Sequence, residues 1–129
     1  MSMSNASETA LLNLLFNNTD WANVGDAAGL QNSAAAGSFY VALHTADPTD
    51  AGNQTTSEAS YTGYARVAVA RTVAGWTVSG NQVSNTATVQ FGECTAGSAT
   101  VTHFSVGLLA SGAGDILYSG ALSASRAVS

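Results

Sequence analysis

The stretch that decides the fold is residues 39–48, Phe-Tyr-Val-Ala-Leu-His-Thr-Ala-Asp-Pro. Its first seven residues have the aromatic, aliphatic and β-branched content of a strand. The strand ends at Asp47-Pro48, because proline has no N–H to give to a sheet and biases the preceding residue away from helical backbone angles. A polar stretch follows, and Tyr61-Thr62-Gly63-Tyr64-Ala65-Arg66 then begins a second extended run. The pattern indicates a strand, a polar loop and another strand.

The rest of the chain continues in short extended runs separated by turn residues. After residues 39–45, the candidate strands are residues 65–72, 75–79, 82–84, 88–91, 100–108 and 115–122. The turns between them are rich in glycine, as in Ser79-Gly80-Asn81. Short strands with no helices between them predict a mainly β fold, an antiparallel β-sandwich or jelly-roll, with a short N-terminal helix.

The N-terminal helix is predicted from a capping signal and an apolar run. Ser7 offers a hydroxyl cap with an acid in the first turn, and Asn17-Asn18 ends the run. Because so short a helix is marginal by itself, we expect it to lean on a sheet or on a neighbouring subunit. Residues 21–37 show no clear period and are predicted to be a loop with at most one helical turn. We therefore predict an N-terminal helix and loop arm, residues 1–37, and a β-sandwich domain, residues 38–129.

Composition limits the possible partners. The chain has 129 residues, a net charge of −5, three arginines and no lysine, so phosphate would repel it and we expect no nucleic-acid partner. No stretch approaches the roughly 18 apolar residues of a membrane span, and none has the basic start of a secretory signal, so we expect no membrane partner. Only 9% of the residues are charged, which is typical of a surface covered by other subunits and also of β-rich extracellular or virion proteins.

No cluster of residues points to chemistry. The two histidines, His44 and His103, could join Asp47 or Asp50 in a metal site, but a third clustered ligand is missing. We interpret His44 and Asp47 as strand filler and turn former. Asp47, Asp50 and Glu58 share one loop that lacks the terminal acid of a calcium-binding loop. Glu93 beside the single Cys94 disfavours a reactive thiolate. We predict no catalytic residue, no cofactor and no metal site, and expect that the protein is not an enzyme.

Four apolar residues are candidates for a partner interface. Leu11, Leu14 and Leu15 share one face of the predicted helix. Trp21 lies in the irregular segment that follows, where a tryptophan often anchors a loop to a neighbour. The other aromatic residues of interest, Trp76 and Tyr118, are predicted to be core or cross-strand residues.

The order of several motifs resembles a known family. After the leader helix and residues 39–48 come Gly63-Tyr64-Ala65-Arg66, Trp76, residues 83–86, 89–91 and 99–104, and finally Ile116-Leu117-Tyr118-Ser119-Gly120-Ala121-Leu122. This order resembles small virion proteins of tailed bacteriophages that are often described as tail-fibre-like. It is also similar to small phage cement proteins, which sit on the capsid as β-sandwich or jelly-roll dimers or trimers. Members commonly add closing strands after the Gly-Ala-Leu strand. Their absence here implies either an open sheet edge near residues 115–122 or a sandwich completed in another way.

The resemblance implies a structural role in the virion. The leading hypothesis is a capsid cement (decoration) protein, made in the bacterial host cytoplasm, that binds the major capsid protein lattice on the outer surface of the phage head and stabilises it. Other copies of the chain, as a dimer or trimer, would be further partners. The alternative is a tail-fibre-like module that binds a receptor or glycan, and a depolymerase is a more distant third possibility.

Overall fold

The computed structural model describes residues 1–129 and contains one helix and six strands. These are α1 (Asn5–Phe16), β1 (Ser38–His44), β2 (Val67–Ala70), β3 (Trp76–Ser79), β4 (Gln82–Asn85), β5 (Ala99–Gly107) and β6 (Ile116–Val128). The predicted fold class is confirmed: the chain is mainly β, with antiparallel sheets consistent with a sandwich-like arrangement and one short N-terminal helix.

Helix α1 begins earlier than the sequence predicts. Its N-cap is Ser4, whose hydroxyl oxygen accepts a hydrogen bond from the N–H of Ser7. The prediction that Ser7 is the cap is therefore wrong, because Ser7 supplies the N–H that needs capping and Ser4 supplies the acceptor. The last turn closes where Asn17 donates its N–H to the carbonyl of Asn13. The helix has 12 residues and buries Leu12 and Phe16.

Two antiparallel sheets contain all six strands. The larger has the order β2-β1-β5-β6, so β6 forms one edge, and β3 and β4 form a separate hairpin. In the hairpin Ser79 lies opposite Gln82, which leaves a two-residue turn whose first residue, Gly80, has φ +60°. Glycine reaches this conformation without strain, which explains why the turn is there.

Residues 88–91 do not form the strand that the sequence predicts. Their β-branched and aromatic content favours extended backbone, but no neighbouring strand offers them a ladder. Phe91 instead stacks on Tyr64, with ring centroids 6.1 Å apart and planes 6° from parallel. Side-chain packing of this kind holds the segment without sheet hydrogen bonds.

The chain divides into two compact units, Met1–Ser38 with Val69–Thr88 and Phe39–Ala68 with Val89–Ser129. In the first unit α1 packs on the β3–β4 hairpin, and the buried rings of Phe16 and Trp76 meet edge to face, 4.9 Å apart and 69° between planes. This supplies the sheet support that a short helix needs. The division into an arm, residues 1–37, and a domain, residues 38–129, stays a prediction.

The second unit has its core under β5 and β6. Ala59, Tyr61 and Val101 are buried together, and half-buried apolar side chains surround them, Leu122 among them. Strand β6 is longer than the predicted residues 115–122. It also contains a bulge, because Ala121 lies opposite His103 and Arg126 lies opposite Val101. Residues 122–125 therefore face a single β5 residue. The small and polar residues after Leu122 give little strand signal, but β5 provides them with a partner.

Candidate functional site

Arg66 and Glu58 form an ion pair in the second unit. Arg66 Nε lies 2.7 Å from Glu58 Oε1, and Arg66 Nη2 lies 2.8 Å from Glu58 Oε2, so the guanidinium donates a hydrogen bond to each carboxylate oxygen. Glu58 Oε1 also accepts a hydrogen bond of 3.0 Å from the Tyr64 hydroxyl, which itself accepts the N–H of Leu43 at 3.0 Å. This bidentate interaction fixes the position of both side chains.

The same arginine ties this network to the loop before β6. Its guanidinium donates to the carbonyl of Leu109 at 3.0 Å and to the carbonyl of Gly112 at 2.8 Å. The Arg66 side chain is only 2% exposed and that of Glu58 is 17% exposed. Every nitrogen of the guanidinium therefore has a protein acceptor, and the cation joins two loops.

Electrostatics follow from this burial. Burial raises the pKa of the Tyr64 phenol; the hydrogen bond from Leu43 opposes the rise, and the Glu58 carboxylate adds to it. The hydrogen bonds to Glu58 raise the pKa of Arg66, against the lowering by burial. Both shifts favour the protonated Tyr64 phenol and the charged Arg66 guanidinium, which is the state that the network needs.

A shallow depression of about 400 Å³ lies over the network, lined among others by Glu58, Tyr61, Tyr64 and Arg66. The polar groups beneath it are hydrogen-bonded to one another or to backbone. Such groups hold loops in place.

His44 is buried and fully engaged. Its Nδ1 lies 2.8 Å from the carbonyl oxygen of Thr56, and its Nε2 lies 2.7 Å from the hydroxyl of Ser105. Since a carbonyl only accepts, Nδ1 is the donor of the first bond. This agrees with the interpretation of His44 as a residue that fills the strand. No three His, Cys, Asp or Glu side chains lie close enough together to hold a metal ion.

Gln54 is a buried polar residue that the sequence analysis did not single out. Its side chain is fully buried; Oε1 accepts the N–H of Leu109 at 2.9 Å, and Nε2 donates to the Leu109 carbonyl at 3.2 Å. Its own N–H donates to the carbonyl of Gly114 at 2.9 Å.

The four predicted interface residues are all half-buried: Leu11, Leu14, Leu15 and Trp21. Trp21 forms an isolated antiparallel bridge with Leu30, which closes the loop after α1. All four lie in the first unit, and their role as a partner interface stays a prediction. The single helix, α1, does not have the length and hydropathy of a membrane-crossing helix.

The edge of the large sheet is the other candidate site. β6 has 13 residues and is hydrogen-bonded to β5 on one side only. Beside its first residues is a cleft of about 300 Å³, lined by Thr49, Asp50 and Gly52 and by residues 116–119. An edge of this kind presents backbone N–H and C=O groups that can pair with another strand. The sequence left two alternatives, an open sheet edge or a sandwich completed in another way. The structure shows an open edge for residues 116–122.

Comparison with protein families places the chain among the virion proteins of tailed bacteriophages, as the motifs predicted. The chain belongs to the family described as "Podophage GP4 fiber I protein gp80", whose model matches residues 2–129. No curated protein matches the chain. The protein is thus a structural component of a phage virion.

Proposed function

We propose that the chain is a structural subunit of a podophage fibre. The observation that carries the proposal is the family match over residues 2–129, because the description of that family names a fibre protein. The sequence favours a capsid cement protein, with a tail-fibre-like module that binds a receptor or glycan as the alternative. The family description supports the alternative.

The geometry fits a structural role. A fibre subunit needs loops held in fixed positions and surfaces that contact neighbours. Arg66 and Gln54 each join loops through several hydrogen bonds. With 9% charged residues, the chain has a low desolvation cost when its surface is covered by other subunits. We therefore assign it an architectural rather than a catalytic role, with other copies of itself as partners.

Capsid cement is the second candidate. The low charge and the half-buried leucines of α1 also suit a subunit that lies on the outer surface of the head, against the major capsid protein. A receptor or glycan would be an additional partner of a fibre subunit, whereas the capsid lattice would be the main partner of a cement protein.

Location and copy number in the virion distinguish the two candidates. Met1 is fully exposed, so an epitope tag is best fused at the N-terminus. Tagged virions are then labelled with gold-conjugated antibody and imaged. Mass spectrometry of the same particles gives the ratio of this chain to the major capsid protein. For a fibre subunit we expect label on fibres and a ratio far below one. Label over the whole head, with a ratio near that of a lattice-covering protein, would support cement instead. Untagged virions are the control for labelling.

A further inference from the structure

We propose that residues 126–128, at the end of β6, form a strap that opens and closes as one unit while the rest of the β5–β6 ladder stays intact. In its closed position the strap covers an edge of β5, residues 99–101, and one side of the buried cluster of Ala59, Tyr61 and Val101. The proposal concerns motion within one chain, so it does not depend on whether the protein is a fibre subunit or a cement protein.

The first argument is the break in the ladder before the strap. Residues 118–121 of β6 pair one by one with residues 103–106 of β5, but residues 122–125 face only Thr102. Residues 123–125, Ser-Ala-Ser, are small and exposed. The strap is therefore joined to the main ladder through a segment with few contacts, and such segments are where proteins open locally.

The second argument is the position of the strap at a corner of the large sheet. β1 pairs with residues 103–107 of β5, so it does not reach residues 99–101, and the strap is the only strand beside them. A two-stranded ribbon is marginally stable by itself, whereas residues 103–106 lie between two strands. Residues 99–101 and the strap should therefore separate more easily than the centre of the sheet.

The third argument is how little holds the strap closed. Val128 is half-buried and packs against the cluster, whereas Arg126 and Ala127 are exposed. Directly opposite residues share a face of a sheet, so Val128, opposite Ala99, lies on the face of the cluster. Ala127 lies on the other face, because neighbours in a strand alternate. One half-buried valine and three ladder pairs thus hold the strap in place.

Opening of the strap uncovers two features at once. Residues 99–101 lose their ladder partners, and Val101, which is 2% exposed in the closed state, loses the cover of Val128. Leu122 also packs against the cluster and precedes the exposed segment, so it stays in place. An unpaired edge beside apolar side chains is a place where a foreign strand can pair, so the closed strap protects this corner of the sheet.

Hydrogen exchange of the unmodified chain, followed residue by residue by nuclear magnetic resonance at several low urea concentrations, tests the proposal. The hydrogen-bonded amides of residues 99–101 and 126–128 should share one opening free energy that hardly changes with urea, because a local opening exposes little surface. After correction for intrinsic rates, they should exchange about 100-fold or more faster than those of residues 103–106. A gradient that rises toward the last residue, or exchange as slow as that of residues 103–106, would overturn the proposal.

Val128→Asp and Ala127→Asp form a matched pair, because both add one carboxylate to the strap and only the first places it on the face of the cluster. Val128→Asp should speed the exchange of residues 99–101 by about a further tenfold or more and leave residues 103–106 unchanged, because burying a carboxylate disfavours the closed state. Ala127→Asp should change the same rates by less than about threefold, because its side chain stays in water. If Val128→Asp speeds residues 103–106 as much as residues 99–101, or if the two variants act equally, the strap is not a separate unit.

Discussion

Gln54 determines what two neighbouring positions of the second unit can hold. Its buried side chain fills the space in front of Gly107 and Gly114: a Cβ added at Gly107 would lie 2.3 Å from Gln54 Cδ, and one at Gly114 would lie 2.2 Å from Gln54 Oε1. Gln54 therefore uses the lack of a side chain at both glycines to reach the backbone of Leu109.

Gly107→Ala should destabilise the protein by about 2 kcal/mol, because the added methyl group pushes Gln54 away from its hydrogen-bond partners. Gly107 has an ordinary φ, so steric contact rather than backbone strain is the cause. Urea unfolding followed by circular dichroism measures the free energy of unfolding.

A double-mutant cycle separates this explanation from a general loss of stability. In Gln54→Ala/Gly107→Ala the methyl group enters space that the glutamine has left. The cost of the double variant should therefore be smaller than the sum of the two single costs by about 1 kcal/mol. Additive costs would show that the destabilisation by Gly107→Ala does not come from contact with Gln54.

Residues differ in how far the sequence could predict them. The position of His44 within a strand was evident from the residues around it, and its structural interpretation followed from the lack of a third ligand. Gln54 gave no signal, since it lies in a run of polar residues and its burial depends on a loop 55 residues away. The partnership of Glu58 with Arg66 depends on the path of the loop between them, which residue types alone do not determine.

At the scale of elements, the C-terminus of α1 depends on an arginine from another part of the chain. The guanidinium of Arg71 donates to the carbonyls of Leu14 and Leu15, and also to the carbonyl of Ala36 at 3.0 Å. The last carbonyls of a helix have no partners within it, and a cation there also interacts favourably with the helix dipole. α1 itself has no basic residue in its last turn.

Arg71→Met should lower the free energy of unfolding by about 2–3 kcal/mol, because several carbonyls lose a charged donor together. Arg71→Lys should lose less, since the ammonium keeps the charge but cannot reach all the acceptors at once. Denaturant titration of each variant, with far-ultraviolet circular dichroism as the readout, gives the size of the loss.

Arg126→Met is the matched control for this cap. It removes the same charge from an exposed arginine whose side chain has no partner, so it should change stability by less than about 0.5 kcal/mol. If Arg71→Met and Arg126→Met lower the free energy of unfolding equally, the hydrogen bonds from Arg71 to the end of α1 do not stabilise the protein.

The sequence predicted the existence of most elements better than their ends. β1 was predicted one residue late, and β2 and β3 lie inside their predicted ranges. The helix start was wrong because two serines, Ser4 and Ser7, can each cap, and only the structure shows which one accepts. Residues 88–91 have strand composition without a ladder, and β6 continues through residues of weak strand propensity because β5 lies beside it. Pairing is a long-range property, so local composition cannot determine it.

At the scale of the whole molecule, stability should fall in alkaline solution. Burial raises the pKa of both Tyr61 and Tyr64 above the ordinary value of 10.0. Above pH 10 the unfolded chain releases these protons while the folded chain retains them, so rising pH favours unfolding. Stability from these groups is present in full below pH 10 and is lost as pH rises toward their folded pKa values. Urea titrations from pH 7 to pH 11.5 should show this decline.

Tyr64→Phe should flatten the decline above pH 10. At pH 7 it should cost about 1 kcal/mol, because Glu58 and the N–H of Leu43 lose a partner. Tyr118→Phe removes a hydroxyl from a side chain that is 41% exposed and should leave the slope close to that of the unmodified protein. If Tyr64→Phe keeps the full slope, the decline has another origin.

The different surroundings of the three arginines have a consequence for proteolysis. The chain has no lysine, so trypsin can cleave only after Arg66, Arg71 and Arg126. Arg66 is held in the second unit and Arg71 in the first, while Arg126 is exposed. Cleavage after Arg66 therefore requires local opening of the second unit, and cleavage after Arg71 requires opening of the first. One protease thus reports separately on each unit, and the rate of cleavage after Arg126 reports on whether the edge of the sheet is occupied.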